Sequence, residues 1–173
     1  MALVVFLRGA NVGGHRVFQP AALAREMAEF GVVNVGAVGT FVVRKAVGEK
    51  AFRAELVARL PFETEAMIVP ARDLLALAES EPFPKTPPGD DVRKMLTVLA
   101  RKPKAVPRFP MDRPAGDRWQ VRVIGISGLF GLSFWRPDRK RMIYLDAEKD
   151  FGVSGTTRTW NTVEKIRTIL QGD

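Results

Sequence analysis

The clearest hydrophobic pattern opens the chain: Ala2 to Leu7 is a continuous apolar run rich in β-branched residues, which predicts a buried strand. Pro20 then opens AALAREMAEFG, where Leu23, Met27 and Phe30 recur at helical spacing and Gly31 stops the run, so a helix is expected there. Val35 to Val43 is apolar and β-branched with Gly36 and Gly39 inside it. That pattern predicts two strands joined tightly near Gly39, or one bulged strand. Glu49 to Leu60 carries Phe52, Leu56 and Leu60 on one helical face before Pro61. Glu65 to Val69 reads as a strand, and Ala71 to Glu79 as a short helix with Leu74, Leu75 and Ala78 together. The resulting order, strand-helix-strand-strand-helix-strand, is that of a ferredoxin-like unit with an antiparallel sheet and both helices on one face.

The pattern then changes. PFPKTPPGDD, Pro82 to Asp91, reads as a linker between two subdomains, 1–81 and 92–173. Val92 to Ala100 resembles a strand, whereas Pro103, Pro107, Pro110 and Pro114 make Lys102 to Gly116 an arginine-bearing loop. Trp119 to Ile126 alternates, and Ser127-Gly128 turns it into Leu129 to Trp135, predicting a β-hairpin. Asn161 to Leu170 reads as a closing helix with Val163 and Ile166 inward and Asn161 paired with Glu164 as a cap. The expected class is α+β with two ferredoxin-like (βαββαβ) subdomains and antiparallel sheets, the second of them degenerate.

Composition narrows the chemistry. The chain has 173 residues, no cysteine and one histidine, His15. Disulfides, thiolate nucleophiles, Cys/His zinc sites and a conventional Ser-His-Asp triad are therefore hard to build, and neither a metal nor a cofactor is expected. The opening apolar run of six residues falls far short of the roughly 20 needed to span a bilayer, and no later run reaches that length. The expectation is a cytoplasmic protein without a membrane partner.

Charge is unevenly spread. Of a net +8, residues 1 to 85 carry ten Lys/Arg against nine Asp/Glu, and residues 86 to 173 carry seventeen against ten. Such asymmetry points to a polyanionic partner, nucleic acid or a phosphorylated ligand; arginine-rich composition and a solvated surface would give the same count.

Three stretches could carry chemistry. LRGANVGG, Leu7 to Gly14, lacks the Gly-Lys-Ser/Thr ending of a phosphate-binding P-loop and the spacing of GxGxxG. It still offers Arg8 for an oxyanion, Asn11 for a left-handed turn, and the backbone of Gly13 and Gly14 for close approach; a plain turn fits equally. GVSGTTRTWNTV, Gly152 to Val163, sets Thr156, Thr157, Arg158, Trp160 and Asn161 before a helix, where unpaired N–H groups favour an anion. The alternative is an N-terminal cap with Trp160 as a core anchor. The third stretch interleaves Arg118, Arg122, Arg136, Arg139, Lys140 and Arg141 with Trp119, Phe130, Phe134 and Trp135. Such a pattern more often belongs to a hairpin whose aromatic face is core; the alternative is stacking of single-stranded nucleic acid.

With Pro82-Phe83-Pro84 between them, LRGANVGG and TTRTWNTV make the chain similar to the bacterial DUF1697 family. The family's LRGINVGG maps onto Leu7, Arg8, Gly9, Asn11, Val12, Gly13 and Gly14, with Ala10 in place of isoleucine. Its TTRNWNTV maps onto Thr156, Thr157, Arg158, Trp160, Asn161, Thr162 and Val163, with Thr159 in place of asparagine. Its middle motif, SGNVVF, departs further here, at Val38, Gly39, Thr40 and Phe41, so a serine and an asparagine are lost from any site the family shares. The resemblance implies paired ferredoxin-like subdomains and a cytoplasmic location, and no reaction. The two end motifs together suggest one composite anion site. An enzyme using Arg8 and Arg158 to stabilise an oxyanion, or a structural protein in which the motifs only hold the fold, are the alternatives.

Overall fold

The computed structural model describes residues 1–11, 14 and 17–172; Val12, Gly13, His15, Arg16 and Asp173 lie outside the described residues. The chain divides into two units, Met1–Glu79 with Thr162–Asp173, and Ser80–Asn161. The boundary thus falls just before the proline-rich segment, and most of the closing helix returns to the first unit. The class is α+β, with two antiparallel sheets of four and five strands.

In the first unit, β1 (Leu3–Leu7) pairs antiparallel with both β3 (Thr40–Val43) and β4 (Ala66–Pro70), and β2 (Val32–Asn34) pairs with β3. The sheet order is β2-β3-β1-β4. All five residues of β1 are buried, the consequence of a central strand packed on both faces. Leu3, Val5 and Leu7 share one face with Phe41, Val43 and Ile68. Leu23, Ala24 and Met27 from α1 (Pro20–Glu26) and just beyond it pack there, as do Phe52 and Leu56 of α2 (Glu49–Arg59). The helix expected from Pro20 ends at Glu26, and a 3-10 turn, Ala28–Phe30, carries the chain to Gly31 in the left-handed conformation. Of the run expected as Val35 to Val43 only Thr40–Val43 is strand; its partner β2 lies wholly before the run, at Val32–Asn34, and residues 35–39 form the loop between them. α3 (Ala71–Glu79) follows β4 directly.

In the second unit, β5 (Arg93–Leu99), β6 (Met111–Arg113), β7 (Val121–Ser127), β8 (Phe130–Trp135) and β9 (Gly155–Thr159) form the sheet β6-β7-β8-β5-β9. Two strands depart from expectation. β6 lies inside the segment taken for a loop, because three residues between prolines suffice to pair with β7 at an edge. β9 takes GTTRT, expected as the approach to a helix, into a strand on β5 that runs straight into α5 (Trp160–Gln171). Asn161 is accordingly the second residue of that helix and not its cap. A further short helix, α4 (Ala147–Phe151), capped by the Asp146 carboxylate on the Lys149 N–H at 3.1 Å, covers the sheet through Ala147 and Phe151, which pack with Leu99, Met111, Val121 and Val123.

Candidate functional site

The first motif leaves β1 at its C-terminal end. The Arg8 N–H donates to the Glu65 carbonyl at 3.0 Å, and its guanidinium to the Glu65 carboxylate at 2.9 Å. Both side chains are partly exposed, so this is a surface ion pair of modest worth. Asn11 adopts the expected left-handed conformation, φ 51°. Its amide donates to the carbonyls of Phe18 at 3.0 Å and Ala37 at 2.8 Å, while its oxygen accepts the Phe18 N–H at 2.9 Å. Both amide protons are used, tying Asn11 to Phe18 and to the 35–39 loop. Gly14 is exposed; Gly13 lies outside the described residues. An Asn11→Ala variant is expected to lose about 1–3 kcal/mol of stability in urea unfolding, because two carbonyls and an N–H lose their partner. An unchanged midpoint would show that water replaces the amide at no cost.

The second motif is spread over two faces of β9 because side chains alternate along a strand. Thr156 and Arg158 share a face with Leu96 and Val98 of β5, whereas Thr157 and Thr159 share the opposite face with Met95 and Thr97. Arg158 is 7% exposed and donates to the Thr156 hydroxyl at 2.7 Å and the Thr157 carbonyl at 3.1 Å. Burial pushes its pKa down to about 10, so it remains a cation at neutral pH. The Thr157 hydroxyl meets that of Thr97 at 2.9 Å.

The end of this motif lines an opening. Thr159, Trp160 and Asn161 border a groove of about 490 Å³ together with Thr86, Val92, Arg93 and Lys94. Trp160 packs edge-on against Phe83 at 5.0 Å between centroids, Phe83 lies 5.5 Å from Phe134, and the Lys94 ammonium sits 5.6 Å from the Phe83 ring centre. Arg93 holds the Asp91 carboxylate in two hydrogen bonds of 3.0 and 2.8 Å, which raises the arginine pKa and lowers that of the aspartate. The groove therefore presents two cations, two threonine hydroxyls and a carboxamide. Arg93, Lys94, Thr86 and Thr159 were not singled out by the sequence; the β5–β9 register brings Arg93 and Lys94 to Thr159 and Asn161, and Thr86 joins them from the proline-rich segment.

The third stretch is differently built from a stacking platform. Trp119 is buried and lies against the guanidinium groups of Arg122 and Arg136, at 4.4 and 4.1 Å. Arg122 also grips Asp112 in two 2.8 Å bonds, and Arg136 donates to the carbonyls of Trp119 and Asp117. Phe130 and Phe134 are buried. Those aromatics are core and their arginines are structural. Arg118, Arg139, Lys140 and Arg141 are exposed and form no salt bridge among the described residues.

The sequence profile of DUF1697, a protein family of unknown function, matches residues 1–125. The chain belongs to the DUF1697 family. The matched segment carries the LRGANVGG stretch and ends before TTRTWNTV, so the second motif of this DUF1697 chain stands on its own geometry. No curated protein matches it. Among solved structures, the conserved bacterial protein SP0830 from Streptococcus pneumoniae is similar at 17% identity over 98% of each chain, with a TM-score of 0.59, a likeness of fold alone. Among the described residues of the DUF1697 chain, no helix is long and apolar enough to cross a membrane, and no cluster of His, Cys, Asp or Glu is placed to hold a metal ion.

Proposed function

We propose that this protein is an anion-binding module and that the groove at Arg93, Lys94, Thr159 and Asn161 receives the phosphate of its ligand. The observation that carries the reading is the convergence of an uncompensated lysine, hydroxyls and a carboxamide at one opening. Charge supports it: the unit Ser80–Asn161 has sixteen Lys/Arg against nine Asp/Glu, a balance of +7, which leaves the first unit at +1. Ions of the opposite sign are thus drawn to the unit that holds the groove. The half of the site expected from Arg8 and Asn11 is not needed for this reading, since the Asn11 amide and the Arg8 guanidinium already hold partners in their own unit.

Titration calorimetry with inorganic pyrophosphate tests it. Binding is expected at low salt, to weaken as salt rises, and to fall about tenfold in Lys94→Ala, since an ion contact contributes on the order of 1–3 kcal/mol. Lys94 is exposed, so the variant keeps its fold. No binding, or binding indifferent to both salt and Lys94, would sink the proposal.

We also infer that the first unit is ferredoxin-like. Its βαββαβ order, its sheet order β2-β3-β1-β4 and the packing of α1 and α2 on one face support that reading. The second unit has the order ββββαβ, and the name is not carried over to it.

A further inference from the structure

Beside the groove lies a cavity of about 210 Å³, walled by Met95, Val121, Trp135, Tyr144 and Leu145, with Ser133 and Thr157 on its floor. It is smaller than the roughly 300–1,000 Å³ of sites for drug-sized ligands, and so has room for a ring system but not for a whole nucleotide. Two features suit a planar heterocycle rather than an aliphatic group. Trp135 and Tyr144 form a tilted pair, 5.4 Å between centroids with 31° between planes, and Tyr144 is 66% exposed, so an aromatic surface stands at the mouth. Ser133 is 2% exposed and places a hydroxyl among the residues that line the cavity. A hydroxyl on a mostly apolar wall can donate to or accept from a ring nitrogen or exocyclic group.

The cavity and the Arg93–Thr159 side of the anion groove occupy consecutive positions of one sheet face, while Lys94, next to Arg93, points to the other. Along β5, Arg93 borders the groove and Met95 the cavity; along β9, Thr159 borders the groove and Thr157 the cavity. Two residues of strand separate the pairs by ~7 Å, comparable with the distance from base to 5′-phosphate in a nucleotide. Arg93 joins the two, its guanidinium 5.5 Å from the Trp135 ring centre. Asp91 offsets part of that charge, but Arg139 is near enough to lower the Asp91 pKa further, so two cations face one carboxylate.

We propose that the cavity receives the base of a nucleotide whose phosphate lies in the groove. This rests on the anion-binding reading and names its ligand class: one base with one phosphate, either free or as an unstacked residue of a single strand. Ser133 and Thr157 contact the edge of the base, Tyr144 and Trp135 its face, and Lys94 with Arg93 the phosphate.

Calorimetry on the full chain with adenosine, adenosine 5′-monophosphate, inorganic pyrophosphate and a single-stranded oligoadenylate tests the inference. The monophosphate, the oligoadenylate or both are expected to bind about tenfold or more tighter than adenosine or pyrophosphate. Tyr144→Ala and Ser133→Ala are expected to remove that advantage while leaving pyrophosphate affinity unchanged; Lys94→Ala weakens every phosphate-bearing probe. Tyr144 is exposed, so its variant reports binding without loss of fold, which circular dichroism checks. Tight binding by the monophosphate assigns a free nucleotide, and tight binding by the oligoadenylate alone assigns a strand. If base-bearing probes bind no tighter than pyrophosphate, or their advantage survives both cavity variants, the nucleotide inference is overturned and the anion reading stands. If no phosphate-bearing probe binds, both fall.

Discussion

Gly39→Ala is expected to destabilise the protein by about 2–5 kcal/mol, seen as a lower urea midpoint with an unchanged slope. Gly39 has φ +82°, a conformation that costs an L-residue ~1–2 kcal/mol. A Cβ there would stand 2.8 Å from the Leu7 Cβ and 2.9 Å from its Cδ1, closer than carbon atoms approach. Leu7 cannot yield, because it is fully buried at the end of the central strand and its N–H donates to the Gly39 carbonyl at 2.8 Å. The strain therefore adds to the overpacking. Gly36→Ala is the matched control: φ is +80°, but its Cβ would meet nothing within 4 Å, so only the conformational cost of ~1–2 kcal/mol applies. Equal losses in the two variants would remove the Leu7 contact from the explanation. At Gly39 a glycine is required by the left-handed backbone and by the close approach of Leu7 together.

The first unit was legible because its signals are local. Apolar β-branched runs and the 3.6-residue spacing of Leu23 and Met27, or of Phe52 and Leu56, report burial directly. The second unit was less so. GTTRT has hydroxyls and an arginine where a strand usually shows alternating apolar residues; it is a strand because β5 offers it a partner about sixty residues earlier in the chain. The same long-range register explains the site. Trp160 and Asn161 stood out by composition, but Arg93 and Lys94 look like the ordinary polar start of a strand until β9 is laid beside them. The basic hairpin left two readings open for a physical reason. Arginine beside tryptophan reads alike whether the ring is open to a base or closed by the guanidinium, and at Trp119 two arginines close it.

Arg158→Ala is expected to cost about 2–4 kcal/mol of stability, because the truncation leaves a cavity and removes charge-assisted hydrogen bonds to the Thr156 hydroxyl and the Thr157 carbonyl. Arg158→Met should cost less: the apolar stem is kept, and the charge that burial opposes is gone. The pH dependence separates the two contributions. With its folded pKa lowered to about 10, Arg158 binds fewer protons folded than unfolded from about pH 10 upward, so its own effect is to raise stability as pH climbs through that range. The difference in stability between the parent and Arg158→Met should therefore shift in the parent's favour between about pH 9 and 11, and a flat difference would contradict the burial of a charged guanidinium. Binding supplies the last discrimination. Arg158 is buried and is not among the residues that line the groove, so the folded Arg158→Met variant should bind pyrophosphate as the parent does. Affinity lost with stability intact would move Arg158 from the framework into the anion site.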